Sequence, residues 1–251
     1  MADTVFIDRP DGPALAVAAT PGAGPTVVWL GGFHSDMTGT KAVALEAWAE
    51  ARGRAYVRFD YSGHGQSQGR FEDGTISQWR ADALAVIDRC TSGPLVLVGS
   101  SMGGWIALLA ALARPQRVAG LVLVAPAPDF TEDLMWAGFP DAVKDQILTT
   151  GSWLRPSAYG DEPYPITRAL IEDGRGHLLL RAQIPVPVPV RILHGQADPD
   201  VPWQRSLQLM ERLAGTDVIA TFVKDGDHRL STPRDLALLS AAVEELPARI
   251  P

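Results

Sequence analysis

Val96-Leu97-Val98-Gly99-Ser100-Ser101-Met102-Gly103-Gly104-Trp105 is the stretch that decides how this chain is read. An apolar run leads into Gly-x-Ser-x-Gly, and an Ala/Leu-rich run to about Ala113 follows. The pattern predicts a buried strand that turns sharply into a helix around Ser101. The flanking glycines have a physical reason. A strained turn holds the serine, and Gly99 and Gly103 let strand and helix pass close by. The Ser101 hydroxyl then stands at the carboxyl edge of a sheet, above a helix N-terminus. Free N–H groups and partial positive charge at that end favour a developing oxyanion. A serine so placed needs a histidine, an acid and a second oxyanion donor from elsewhere in the chain.

Length and composition bound the rest. At 251 residues the chain suits one large α/β domain with room for a small insertion. Its formal charge of −7, from 22 basic and 29 acidic residues, argues against nucleic acid or an anionic membrane as the main partner. Lys41, Lys144 and Lys224 are the only lysines, and no basic cluster stands out. The single cysteine, Cys90, leaves no internal disulfide and no cysteine-based zinc site. It falls late in a predicted helix and reads as a small buried or half-buried residue. Met1-Ala2-Asp3-Thr4-Val5 has neither the basic start nor the apolar run of a signal or transit peptide. No run approaches the roughly 20 apolar residues of a membrane span. The expectation is a soluble, cytoplasmic protein with no stable membrane insertion.

Strands are expected at Thr26–Leu30, Arg54–Phe59, Val118–Val124, Val190–His194 and Asp217–Val223. Helices are expected at Thr40–Ala51, Thr75–Cys90 and Trp203–Ala214, with a last one capped by Thr232 and ending near Leu246. Strand and helix alternate with short connections, the pattern of an α/β, mostly parallel doubly wound sheet. Thr4–Ile7 and Ala14–Ala19 flank the turn Arg9-Pro10-Asp11-Gly12-Pro13 and predict an antiparallel edge hairpin. The rhythm breaks between Asp129 and Ile184, where no strand-like run is seen. Helical patches at Thr131–Ala137, Asp141–Thr149 and Ile166–Gly174 alternate there with turns, and Trp136, Phe139, Trp153, Tyr159 and Tyr164 concentrate aromatics. The expected organisation is a core of residues 1–128 and 185–251, with residues 129–184 as a small helical cap over Ser101 that helps select the substrate.

Gly31-Gly32-Phe33 follows the strand at Thr26–Leu30. Glycine there lets backbone approach a substrate closely, and the Phe33 N–H is expected to pair with that of Met102 as the oxyanion hole. His34 and Ser35 are expected to shape the site rather than react. Five histidines compete for the base. His34 and His64 precede the serine, His64 within a Gly/Ser turn of structural character. His177 lies in the cap, and His194 belongs to a His-Gly turn at the end of its own strand. His228 alone follows the last strand, as the order serine, acid, histidine requires. Asp198 and Asp200 compete for the acid. Asp198, four residues after His194 and closed in by Val201-Pro202, is favoured, while Asp225 and Asp227 read as turn formers.

Several stretches together carry a resemblance: Met37-Thr38-Gly39-Thr40-Lys41-Ala42, Arg58-Phe59-Asp60-Tyr61-Ser62-Gly63, Gly99 through Trp105, Leu193-His194-Gly195, Val201-Pro202-Trp203 and Asp227-His228-Arg229. The chain resembles the α/β-hydrolases throughout. Within them it is similar to a family of mitochondrial palmitoyl-protein thioesterases also described as acyl-glucuronide esterases. The resemblance implies a hydrolase of acyl esters or thioesters, small or carried on a lipidated protein, with Ser101, Asp198 and His228 as its triad. It implies neither a metal nor an organic cofactor. A peptidase or perhydrolase on the same fold, and a non-catalytic ligand receptor, are the alternatives. Dehalogenase chemistry is disfavoured because it places an aspartate where this chain has Ser101.

Overall fold

The structure is a computed structural model that describes residues 2–156 and 162–246. The chain begins with the hairpin β1 (Thr4–Arg9) and β2 (Gly12–Thr20). There follow β3 (Ala23–Leu30), α1 (Thr40–Arg52), β4 (Arg54–Phe59), α2 (Ile76–Cys90), β5 (Leu95–Ser100), α3 (Met102–Ala113) and β6 (Val118–Val124). The segment after β6 holds α4 (Asp141–Thr150), β7 (Ser152–Arg155), β8 (Tyr164–Thr167) and α5 (Arg168–Arg175). The chain then closes the core with β9 (Val190–Gly195), α6 (Gln204–Arg212), β10 (Val218–Val223) and α7 (Pro233–Glu245).

Eight strands form one sheet in the order β1-β2-β4-β3-β5-β6-β9-β10. β1 pairs antiparallel with β2 and β2 antiparallel with β4, while all pairs from β4 to β10 are parallel. The alternation of side chains along each strand shows why the central strands read as unbroken apolar runs. Leu95, Leu97, Leu121 and Leu123 pack on the face covered by α2 and α3. Val96, Val98, Val122 and Val124 pack on the opposite face with Leu45 and Trp48 of α1 and Leu239 and Val243 of α7. α3 is buried from Met102 through Ala111, so its lack of a polar face matches a helix enclosed on all sides. Helix ends follow local chemistry. Thr75 accepts the Gln78 N–H at the start of α2, and Thr232 and Asp235 form a reciprocal capping box on α7.

Strand register decides which loops meet. Leu30 sits beside Gly99, Ser100 beside Val124, and Val124 beside Leu193. The loops after β3, β5, β6 and β9 therefore leave one sheet edge side by side, and the loop after β10 joins them because Phe222 lies beside His194.

The segment between β6 and β9 departs from the sequence expectation. It is not purely helical, because β7 and β8 form an antiparallel hairpin with Trp153 opposite Ile166 and Arg155 opposite Tyr164. Each strand has only four residues, and one contains Pro165, so alternation is too short to register as a strand. Ile166 and Thr167 end β8 instead of opening a helix, and Thr167 caps α5 by accepting the Leu170 N–H. Thr131–Trp136 is one π-helical stretch rather than an α-helix. β3 also starts earlier than expected, at Ala23, with an irregular register before Val27. Tyr159, counted among the aromatics of this segment, lies outside the described residues.

Two glycines let β5, β3 and α3 meet. A Cβ on Gly103 would stand 2.0 Å from the Leu30 carbonyl oxygen, and one on Gly99 would stand 2.3 Å from the Gly103 carbonyl oxygen. Both obstacles are backbone, so neither can rotate away. Gly103→Ala is expected to lower the unfolding free energy by about 1–3 kcal/mol. A denaturant midpoint equal to that of the unmodified chain would contradict this packing.

Candidate active site

Ser101 joins β5 to α3 at φ 55° and ψ −118°, a conformation that L-residues with a side chain rarely adopt. Its backbone is braced on all sides. The Ser101 N–H donates to the Val124 carbonyl at 2.9 Å, and the Ser101 carbonyl accepts from Gly104 and Ala127 at 2.9 and 3.1 Å. Met102 opens α3, so its N–H belongs to the first turn and has no acceptor within the helix.

Side chains from two other loops form a hydrogen-bonded series with this serine. His228, in the loop after β10, has Nε2 3.1 Å from Ser101 Oγ and Nδ1 2.7 Å from Asp198 Oδ2. A carboxylate only accepts, so the Nδ1–H donates to Asp198 and Nε2 is left to accept from the Ser101 hydroxyl. Asp198 follows β9. Its Oδ1 accepts the N–H groups of Asp200 and Val201 at 2.8 and 2.9 Å. Asp200 itself is exposed beside the cleft and is not the carboxylate at His228. Burial pushes the Asp198 carboxyl up. Hydrogen bonds from His194, His228 and Val201, with the charge of His228, outweigh burial and hold the group well below the usual carboxylate range.

His194 is the residue that sequence reasoning missed. It is fully buried on β9, with Nδ1 2.7 Å from Ser206 Oγ of α6 and Nε2 3.1 Å from Asp198 Oδ2 and 3.0 Å from the Val201 carbonyl. Nε2 faces two acceptors, so it carries the proton, and Nδ1 accepts from Ser206. The ring thus donates to the same Asp198 oxygen, Oδ2, that accepts from His228. The only local signal was a histidine four residues before the favoured aspartate.

Gly32 lies against Ser101. A Cβ on it would be 3.5 Å from the serine Cβ, and Phe33 is the next residue. His34 then takes φ 56°, another left-handed conformation. Its N–H donates to His64 Nε2 at 3.2 Å, while His64 Nδ1 lies 3.2 Å from the Ser62 carbonyl. His64 therefore carries its proton on Nδ1. Burial pushes its pKa down to about 4, so the ring stays neutral and keeps Nε2 free to accept. The remaining histidine, His177, is 2.7 Å from Ser77 Oγ through Nε2 and ties the segment after β6 to α2, away from Ser101.

A cleft of about 550 Å³ opens over Ser101 and His228. Its lining combines apolar residues, Phe33, Ala127, Phe130, Leu134, Met135 and Val201, with polar and charged ones. The charged members include Asp36, Lys41, Asp200 and Arg229. The Lys41 ammonium donates to the Arg229 carbonyl beside His228, and burial pushes its amine down to about 8 against the pull of Asp227 and Asp235. Among the described residues one group has metal-like spacing, with ligand atoms of Asp198, Asp200 and His228 within 4.8 Å of one another. Both His228 nitrogens and the Asp198 oxygens are already engaged in hydrogen bonds within the protein, which disfavours an ion there. Among the described residues no helix is long and apolar enough to cross a membrane.

Known proteins share this arrangement of chain. Residues 23–171 match the family described as serine aminopeptidase, S33 (Hydrolase_4). Over 242 residues the chain is 43% identical to the mitochondrial palmitoyl-protein thioesterase ABHD10 of Bos taurus, covering 96% of this chain and 79% of that protein. It is 44% identical to a putative hydrolase from Agrobacterium vitis S4, whose crystal structure superimposes with a TM-score of 0.92 over 98% of both chains. Alpha/beta hydrolase domain-containing protein 10 from mouse superimposes with a TM-score of 0.91 at 39% identity, over 99% of both.

His64 gives the site a pH signature. In the unfolded chain its imidazole titrates near 6.5, and in the folded chain near 4. The unfolded state binds the extra proton, so this contribution is whole above about pH 6.5 and is lost as pH falls toward 4. A loss of up to about 3 kcal/mol over that window is expected, and it is absent when His64 is replaced by a group that does not titrate. Nitrogen NMR is expected to show His64 neutral with its proton on Nδ1 at pH 6. An imidazolium spectrum at that pH would contradict the assignment.

Proposed function

The chain belongs to the α/β-hydrolase family, and on that premise we propose that it cleaves carboxylic esters and thioesters with Ser101 as nucleophile, His228 as base and Asp198 as the acid that orients it. One observation carries this reading: the hydrogen-bonded series Ser101 Oγ, His228 Nε2, His228 Nδ1, Asp198 Oδ2, at 3.1 and 2.7 Å, opening onto the cleft. Ordinary serine is too weak an acid to attack a carbonyl unaided, and this series gives its proton a destination.

Ser101 Oγ attacks the acyl carbon while its proton passes to His228 Nε2. The new carbon–oxygen bond pushes the carbonyl electrons onto oxygen, where the N–H groups of Phe33 and Met102 receive the charge. Collapse expels the alcohol or thiol, which leaves with the proton carried by His228 and returns the imidazole to its neutral form. The acyl group is now an ester of Ser101. Water attacks that ester, gives its proton to His228, and releases the acid as the proton returns to Ser101. Asp198 keeps the His228 proton on Nδ1 and stabilises the imidazolium at each transfer. The deprotonated state of Asp198 supports this part.

The curated relatives named as palmitoyl-protein thioesterases support an acyl thioester or ester as substrate, small or carried on a lipidated protein. The cleft agrees in character, since its lining offers both apolar side chains for an acyl chain and polar ones for a leaving group. Residues 129–184 act as a cap in this reading, since Phe130, Leu134, Met135 and Tyr164 supply much of the wall facing Ser101.

Ser101→Ala is expected to reduce hydrolysis of p-nitrophenyl acetate by at least about 10⁴-fold and to abolish labelling by a fluorophosphonate. Asp198→Asn, which permits the wrong tautomer of His228, is expected to cost about 10⁴-fold in kcat. Undiminished turnover in Ser101→Ala would overturn the reading. Because the matched family is described as an aminopeptidase, the substrate panel should include an aminoacyl p-nitroanilide beside esters, an acyl thioester and an acyl glucuronide. Preference for the anilide would replace the esterase assignment with a peptidase.

A further inference from the structure

The hairpin β7–β8 lies in the segment between β6 and β9, and one of its aromatic residues reaches the loop after β3. Tyr164 on β8 stacks on the His34 ring, with centroids 4.9 Å apart and planes 23° from parallel. It also meets Phe33 edge-on at 5.8 Å and Phe71 at 6.3 Å. His34 and Phe33 are the two residues after Gly31-Gly32, where the backbone passes Ser101. The loop carrying the Phe33 N–H is therefore gripped from two directions. From the core, His64 Nε2 holds the His34 N–H at 3.2 Å and Phe71 packs edge-on against the His34 ring at 4.9 Å. From the inserted hairpin, Tyr164 meets both the His34 and the Phe33 rings.

The His34 backbone needs such a grip. At φ 56° it occupies a conformation that a residue with a side chain leaves unless its surroundings determine it. The Phe33 N–H lies in the peptide just before the one that the His34 torsion orients, so a shift of His34 reaches it through the single intervening residue, Phe33. An oxyanion donor is effective only within a few tenths of an ångström of its proper place.

We propose that Tyr164 is a positioning residue for the oxyanion hole: stacked on His34, it holds the loop so that the Phe33 N–H points at the oxyanion formed on the Ser101 adduct. The inference rests on the reading of Phe33 as an oxyanion donor. It makes the hairpin part of the reaction's geometry as well as a wall of the cleft. The ring of Tyr164 does this work, and its hydroxyl does not.

The test measures kcat and KM on p-nitrophenyl acetate and butyrate, with the affinity of phenylboronic acid, which forms a tetrahedral adduct on an active serine. Tyr164→Leu is expected to lower kcat about tenfold with KM within about twofold, and to weaken the boronic acid by a similar factor. Restoring the ring as Tyr164→Phe is expected to bring both values back to within about threefold of the unmodified chain. His34→Asn removes the other partner of the stack while tolerating positive φ, and is expected to match Tyr164→Leu. The double variant is expected to lose clearly less than the two single losses combined, because both remove the stack between Tyr164 and His34. Should Tyr164→Leu fail to fold, His34→Asn carries the test from the core side. A change confined to KM, a loss in Tyr164→Phe equal to that in Tyr164→Leu, or additive losses in the double variant would each overturn the inference. Ser101→Ala measured in parallel separates the outcomes. An inert Ser101→Ala with an unaffected Tyr164→Leu removes this inference alone, whereas an active Ser101→Ala removes the proposed function.

Discussion

Ser101 is held at φ 55° by a turn that the rest of the molecule must keep closed. A side-chain-bearing residue in such a region costs on the order of 1–3 kcal/mol, and it persists only where neighbours over-determine it. Here β5 and α3 approach so closely that glycine is required on both sides of the serine, and a carbonyl of β6 fixes the Ser101 N–H. The enclosure of α3, the parallel pairing of β3, β5 and β6, and the apolar packing on both sheet faces all serve that closure. The same edge gathers other strain. His34, Ser101, Ala125, Asp129 and Leu230 are the non-glycine residues with positive φ among those described, and all lie in loops at the carboxyl ends of parallel strands. Strain concentrated where loops meet a cleft is what a site built for fixed geometry requires.

Environment gives the histidines different work. His228 stands between a hydroxyl and a carboxylate at the cleft, the position of a proton carrier. His194, fully buried, donates to the same oxygen of that carboxylate and is itself held by Ser206. His64, kept neutral by burial, accepts a backbone N–H from the loop after β3. His34 offers its ring to aromatic packing. His177 fastens the segment after β6 to α2. One residue type thus serves five ends, and which end is decided by burial and by the acceptors or donors opposite each nitrogen.

Much of this was legible in the chain itself. Unbroken apolar runs and glycines at close approaches mark the sheet and the serine turn, because both are local consequences of backbone geometry. The order Ser101, Asp198, His228 needed only the knowledge that each follows a strand of a parallel sheet. What stayed hidden depends on contacts between distant residues. Nothing near His194 says that its ring meets Asp198 rather than solvent, and nothing near His64 says that it grips residue 34. The hairpin of β7 and β8 escaped because four residues with a proline among them leave no periodic trace, and its stability comes from pairing and from the aromatics it meets. The π-helical stretch at Thr131–Trp136 escaped because its pattern differs from an α-helix by less than the sequence resolves.

The account turns on one covalent bond, between an acyl group and Ser101. Rapid quenching of the enzyme during turnover of an acyl thioester, followed by intact-mass and peptide mapping, observes that bond directly. The predicted result is a mass increase equal to one acyl group, located on the peptide containing Ser101 and sensitive to hydroxylamine. An acyl group found instead on Cys90, or steady turnover with no adduct on the chain at the earliest times, would contradict serine catalysis in this protein.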